Sequence, residues 1–228
     1  MASAHKLRNP WLDLSNDRPF VLPQDLPYIR QHNRYRSDGA HRIQLAIPPT
    51  PFVGSTVASV VILLANPGVG VGDRREQTKP AALEQIYAGF QKGRNAPFWP
   101  LSESFENTNA GRWWISKTRD LADEVGGARE LAKKLQAIEV HGYHSKSWAP
   151  PVSNFPSQAY GFELVRRAMD RDSFIIIGRA QSYWYCAVPE LRRYPRHVRR
   201  LVSSQSAHLS RANLGSNFRK VIKALEDS

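Results

Sequence analysis

Val60, Val61, Ile62, Leu63 and Leu64 form an unbroken apolar run, too short for a helix and rich in β-branched side chains, the pattern of a strand buried on both faces. It stops at Asn66-Pro67-Gly68. Proline has no amide for a ladder and glycine takes backbone angles closed to other residues, so the chain turns there. Ala137, Ile138 and Val140 read as a second core strand with Glu139 inside it. Ser173 to Gly178 reads as a third, followed by the polar turn Arg179-Ala180-Gln181-Ser182. Between them the apolar positions take helical spacing. Pro80 opens a helix to about Gly89, Gly111 to Lys134 holds two helical patterns split at Gly126-Gly127, and Phe162 to Ala168 is a further helix. Ile43, Leu45 and Ile47 alternate as an edge strand before Pro48-Pro49, and Leu201-Val202 reads as a short strand. A last helix starts near Ser216, with Phe218, Val221, Ile222 and Leu225 on one face.

Apolar strands separated by helices and ending in polar turns predict an α/β fold of three layers, α/β/α, around a central, mainly parallel sheet. The 228 residues show no second composition regime, so 1–228 is read as a single domain, with a proline-rich N-terminal wrap over 1–56 on an α/β core over 57–228. Trp11, Leu14, Phe20, Leu22 and Ile29 anchor the wrap. The formal charge of +12 changes the picture, because an excess of Lys and Arg points to a polyanionic partner, DNA first. No apolar run is long enough to span a bilayer and no signal peptide opens the chain, so no membrane partner and a cytoplasmic location are expected. The one cysteine, Cys186, excludes an internal disulfide and a four-thiolate metal site, and is read as a small buried apolar residue. No metal and no cofactor are expected.

In open α/β sheets ligands bind at the carboxyl ends of the strands, so Asn66 is delivered to a place where its amide can hold a substrate or a water, or simply close the turn. Gly70 and Gly72 loosen the next loop, but neither the dinucleotide fingerprint nor a P-loop is present. Phe98 and Trp99, between Pro97 and Pro100, are either a core plug or a platform for stacking a base. Glu139, at the inner end of its strand, needs a partner or a task, since an unpaired buried charge is costly. The loop after it carries His141, Tyr143, His144 and Trp148. Arg192, Arg193, Arg196, Arg199 and Arg200 crowd the approach to Leu201, next to a further strand-end loop, and are read as phosphate contacts.

Taken in order, Ala65-Asn66-Pro67-Gly68, the intervening strands, Ser204-Gln205-Ser206 with Ala207-His208-Leu209-Ser210-Arg211, and the final helix resemble the uracil-DNA glycosylase superfamily from about Val57 to the C-terminus. The resemblance implies a DNA glycosylase that flips a nucleotide out of DNA and hydrolyses its N-glycosidic bond. Under it, Asn66 orients the attacking water, Gly68 belongs to the first motif, and the loop with Ser206 and Arg211 clamps phosphates while Leu209, or His208 beside it, fills the vacated stack. The histidine that family members often use to stabilise the departing base stands here as Ser204, leaving His208, His141 or His144 to supply that step. The asparagine that commonly reads uracil stands here as Glu139, and an ionised carboxylate, which only accepts hydrogen bonds, suits the amine of cytosine. With Phe98, Trp99, Tyr143 and His144 around the base, the expectation is excision of a modified cytosine from phage DNA in antiviral defence. The alternatives are a uracil or mismatch repair glycosylase, a non-catalytic DNA-binding relative, or a hydrolase of free nucleosides or nucleotides.

Overall fold

A computed structural model describes residues 7–36, 38–198, 201–203 and 205–227. In chain order its elements are α1 (Leu26–Tyr35), β1 (Phe52–Gly54), β2 (Val60–Leu64), α2 (Asp73–Gln77), α3 (Pro80–Lys92), α4 (Asn109–Glu124) and α5 (Ala128–Lys134). Then follow β3 (Leu135–Glu139), α6 (Gln158–Asp170), β4 (Phe174–Ile177), α7 (Gln181–Ala187), β5 (His197–Val198), α8 (Arg211–Leu214) and α9 (Phe218–Glu226). The five strands form one mixed sheet in the order β1-β3-β2-β4-β5. Only β1 runs antiparallel, against β3.

The apolar run of the sequence is the central strand, and all five of its residues are buried because it has a neighbour on each side and helices above and below. Going from β2 to β3 moves one way across the sheet and from β3 to β4 the other, so right-handed crossovers put α3 to α5 on one face and α6 on the opposite face. Helix α6 packs on β3 and β4, and α9 on β2. Trp11, Phe20, Leu22 and Ile29 are buried, so the N-terminal segment does wrap the core.

Three local expectations are corrected. The segment Ile43 to Ile47 makes an isolated bridge, Gln44 to His144, rather than a strand. The Asn33 side chain explains this, since it accepts from the Ile43 amide at 2.7 Å and donates to the Ile43 carbonyl at 3.0 Å, replacing a strand partner. The last strand is His197–Val198, not Leu201-Val202: the Val202 amide donates instead to the Asn213 carbonyl and its side chain is exposed. Cys186 is exposed, on the outer side of α7. Helix α1 escaped the pattern because Pro27 looked like a break, whereas proline is well tolerated in a first turn.

Gly54 is the tightest joint of the sheet. It holds φ +91° and a Cβ there would lie 2.2 Å from the Leu135 carbonyl oxygen, a backbone atom that cannot swing aside. Gly54→Ala should therefore cost about 3 kcal/mol or more from strain and overlap together, read as a lower denaturant midpoint at unchanged slope.

Candidate functional site

A cleft of about 830 Å³ opens at the carboxyl ends of β2, β3 and β4 and brings together Asn66, Gly68, Trp99, Glu139, His144 and Arg179. The turn Asn66-Pro67-Gly68 is pinned to the loop after β3. The Asn66 Nδ2 group donates to Ser145 Oγ at 2.9 Å and to the Pro67 carbonyl at 3.0 Å, and the Ser145 amide donates to that same carbonyl. With the amide nitrogen so committed, Oδ1 of this half-buried side chain receives no hydrogen bond from the described residues.

Glu139 is the last residue of β3 and lies level with Leu64, the last of β2. Its Oε2 is buried and has no hydrogen-bond partner among the described residues. Burial pushes the carboxyl up to about 8, and the opposing pull of the Arg179 guanidinium does not restore it. Glu139 is thus a neutral acid at pH 7. It can donate a hydrogen bond as well as accept one, which corrects the expectation of an ionised, accept-only carboxylate.

The aromatic and histidine candidates are largely spent elsewhere. Phe98 is wholly buried, with its ring edge-on to Trp114 at 4.7 Å, and lies outside the cleft lining. Tyr143 is equally buried, its hydroxyl donating to Asp25 at 2.7 Å and accepting from the Leu22 amide. His144 lines the cleft, but both ring nitrogens face carbonyl oxygens, Gly68 at 2.9 Å and Pro48 at 3.1 Å, so it staples two loops. His141 lies beneath Trp148 and against Phe155, and burial holds it down at about 3, which keeps it neutral. Neither of these two histidines is free to stabilise a departing base. Trp99 does reach the cleft, though it is packed on Phe105 and mostly covered. The half-buried rings that line the cleft with more surface to offer are Trp113 and Trp148, which sequence reasoning did not single out as base contacts.

The C-terminal candidates divide in the same way. Leu209 is buried and its amide donates to the Lys117 carbonyl at 2.8 Å, so it cannot serve as an exposed plug. His208 touches α4, with Nε2 2.9 Å from Lys117 Nζ and Nδ1 3.1 Å from the Ser116 carbonyl, and does not line the cleft. Ser206 donates to the Ser203 carbonyl. Arg211 is paired with Glu124 and lies over the Phe218 ring. Arg192 stacks on Tyr185, while Arg193 and Arg196 are exposed. These three precede β5, whose first residue is level with Ile175, so they sit at the amino end of the sheet and not beside the cleft. Arg199, Arg200 and Ser204 lie outside the described residues. Arg179, immediately after Gly178, is the arginine that the fold brings to the cleft, and its position after the third apolar run was the signal for it.

Comparison with protein families, with characterised proteins and with solved structures finds no match to this chain.

The buried acid makes stability pH-dependent. Below the ordinary value of 4.5 folded and unfolded chains both hold the proton; from there to about 8 only the fold retains it, so stability falls as the pH rises through that window. Denaturant titrations at pH 5 and pH 9 should show Glu139→Gln losing less than the wild type, by on the order of a few kcal/mol. Parallel losses in the two proteins would place the proton elsewhere.

Proposed function

We infer that the protein is a DNA glycosylase. The observation that carries the reading is a pair of oxygens without a hydrogen-bond partner among the described residues, Asn66 Oδ1 and Glu139 Oε2, at the matched ends of two adjacent parallel strands and on one cleft. One suits a water and the other a base. Asn66, anchored through its nitrogen, accepts from a water and holds it for attack at C1′ of the sugar. Glu139 reads the pairing edge of the base by donating through its O–H and accepting through its C=O. As the C1′–N bond breaks, that same O–H faces the base atom on which negative charge grows, a role that the resemblance leaves open at Ser204. Water adds at C1′, the base leaves and takes up a proton, and an abasic sugar remains. The polar turn Asn66-Pro67-Gly68 at the end of a central parallel strand is where the resemblance puts its first motif. The net charge of +12 agrees with DNA as partner.

A neutral carboxyl pairs with N3 and the amine of cytosine, and equally with the N3–H and O4 of uracil, so Glu139 by itself does not choose between them. The size of the cleft favours a base with a bulky substituent. About 830 Å³ is in the upper part of the range for sites that hold drug-sized ligands, more room than a bare pyrimidine fills. A modified cytosine, of the kind phage DNA carries, is therefore the first substrate to offer, and antiviral defence the corresponding role.

With Leu209 buried, the group to fill a vacated stack has to come from another loop. Val71 is fully exposed at the cleft, between Gly70 and Gly72. Its carbonyl is held by Asn109 Nδ2 at 2.8 Å, and Asp73 takes both the Gly70 amide and Asn109 Nδ2. An apolar side chain on a braced loop is suited to wedge between bases.

Base release from duplexes containing cytosine, hydroxymethylated or glucosylated cytosine, or uracil, read by mass spectrometry together with alkali cleavage at abasic sites, tests the reading. Release of a substituted cytosine is expected. Binding without abasic sites would favour the non-catalytic alternative. Asn66→Ala should reduce turnover by about 10²-fold or more and leave DNA affinity nearly unchanged. Val71→Gly should lower activity on duplex DNA more than on single strands, because only a duplex has a stack to fill; equal losses on both would remove Val71 from that role.

A further inference from the structure

Most carboxylates that pair with cations in this protein do so away from the cleft. Arg8 pairs with Asp13, Arg166 with Glu190, Arg167 with Glu163, Lys133 with Glu130 and Arg211 with Glu124. Lys117 and Arg179 are different: among the described residues neither has a carboxylate within ion-pair distance. Lys117 lies one helical turn beyond Trp113, a cleft residue, and its Nζ stands 5.5 Å from the centre of that indole ring. The hydrogen-bond partner of Nζ is His208 Nε2 at 2.9 Å. The other ring nitrogen, Nδ1, faces the Ser116 carbonyl, where it can only donate. Nε2 therefore carries the lone pair, and His208 meets Lys117 as a neutral acceptor, giving a hydrogen bond and no counter-charge.

Arg179 is placed with equal care. Its amide donates to the Leu63 carbonyl at 3.2 Å, its Nη2 donates to the Gln205 carbonyl at 2.8 Å, and the following residue, Ala180, holds φ +52°. A non-glycine residue in the left-handed region is strained by about 1 kcal/mol, a cost found more often at binding sites than elsewhere. The carboxyl whose field reaches Arg179 is Glu139, which burial keeps protonated. The two cations also act on each other, since burial first and then the charge of Arg179 lower Lys117 below the ordinary lysine range. Two cations that repel each other, one lining the cleft and one beside a ring that lines it, both oriented by neutral acceptors, suit an anion.

We propose that Lys117 and Arg179 together bind a phosphoryl group, that of the nucleotide whose base enters the cleft. The inference deepens the glycosylase reading by naming what the substrate carries beside its base, yet it requires no bond to be broken. The phosphoryl group could belong to a DNA phosphodiester or to a free nucleotide, which is why the test has separate arms.

Anisotropy of a fluorescein-labelled single-stranded oligonucleotide, titrated at several salt concentrations, is compared between the wild type, Lys117→Met, Arg179→Gln and Lys133→Gln. Lys133 is a cation already paired with Glu130, just before the amino end of β3. Lys117→Met and Arg179→Gln should each weaken binding about tenfold and reduce the salt slope by about one, while Lys133→Gln should not. Lys117→Arg should retain the wild-type slope, and thermal melts confirm that each variant is folded. Competition by dCMP and by inorganic phosphate at millimolar concentration identifies a monoester site; binding of the oligonucleotide without such competition identifies a phosphodiester site. Wild-type affinity and slope in both folded variants would overturn the proposal. Because the readout is binding, an inactive wild type that still shows these losses would sink the glycosylase reading alone.

Discussion

The Leu64 carbonyl holds the site together. It accepts from the Val140 amide at 3.2 Å and from the Trp184 indole N–H at 2.9 Å, so one oxygen at the end of β2 ties the exit of β3 and helix α7 to the central strand. The strand cannot continue past it, because Pro67 offers no amide. Asn66 and Glu139 are therefore fixed within a residue or two of the same tie, and Arg179 is fixed by the equivalent bonds from Gly178 and Arg179 to the Leu63 carbonyl. Three strands end at one level and each delivers a polar side chain there. This is the economy of a parallel sheet: chemistry collects where the carboxyl ends meet.

Burial then decides what those side chains can do. The cleft floor is apolar enough to keep the Glu139 proton, and a neutral Glu139 leaves the nearby guanidinium without a counter-ion. The same desolvation silences His141 and occupies His144 with two carbonyls, so the histidines that looked chemical from the sequence act as packing and staples.

The parts that were legible in the sequence are those with a strong local cause. An apolar run closed by Asn-Pro-Gly, two similar runs and a pair of glycines dividing two helices gave the strands, the α4–α5 break and the position of Asn66 and Glu139. The edge of the sheet was not legible, because Phe52–Gly54 lies directly after Pro51, is only three residues long and ends in a glycine at φ +91°. The arginine-rich segment misled for a topological reason: Arg192 to Arg196 lead into β5 from its amino end, whereas the ligand side is where β5 leaves. Rings misled for a packing reason, since Phe98 and Tyr143 have the same composition signal as Trp113 and Trp148, and only the fold tells which of them a helix covers.

The loop after β5 also has a different task from the one its sequence advertised. Asn213 gathers it in: Nδ2 donates to the carbonyls of Ser203 and His208, Oδ1 accepts from the Ser203 amide, and Leu209 is drawn under α4 with its amide on Lys117. Leu209, so tied, cannot reach outward. The segment instead presents the Gln205 carbonyl to Arg179 and the His208 ring to Lys117, so one loop orients both cations. The exposed apolar residue at the cleft then comes from a different loop, Val71 after β2, braced by Asp73 and by Asn109 of α4. Any nucleic acid in the cleft would meet Arg179, the acid and the asparagine at the strand ends and an apolar tip on the loop after β2.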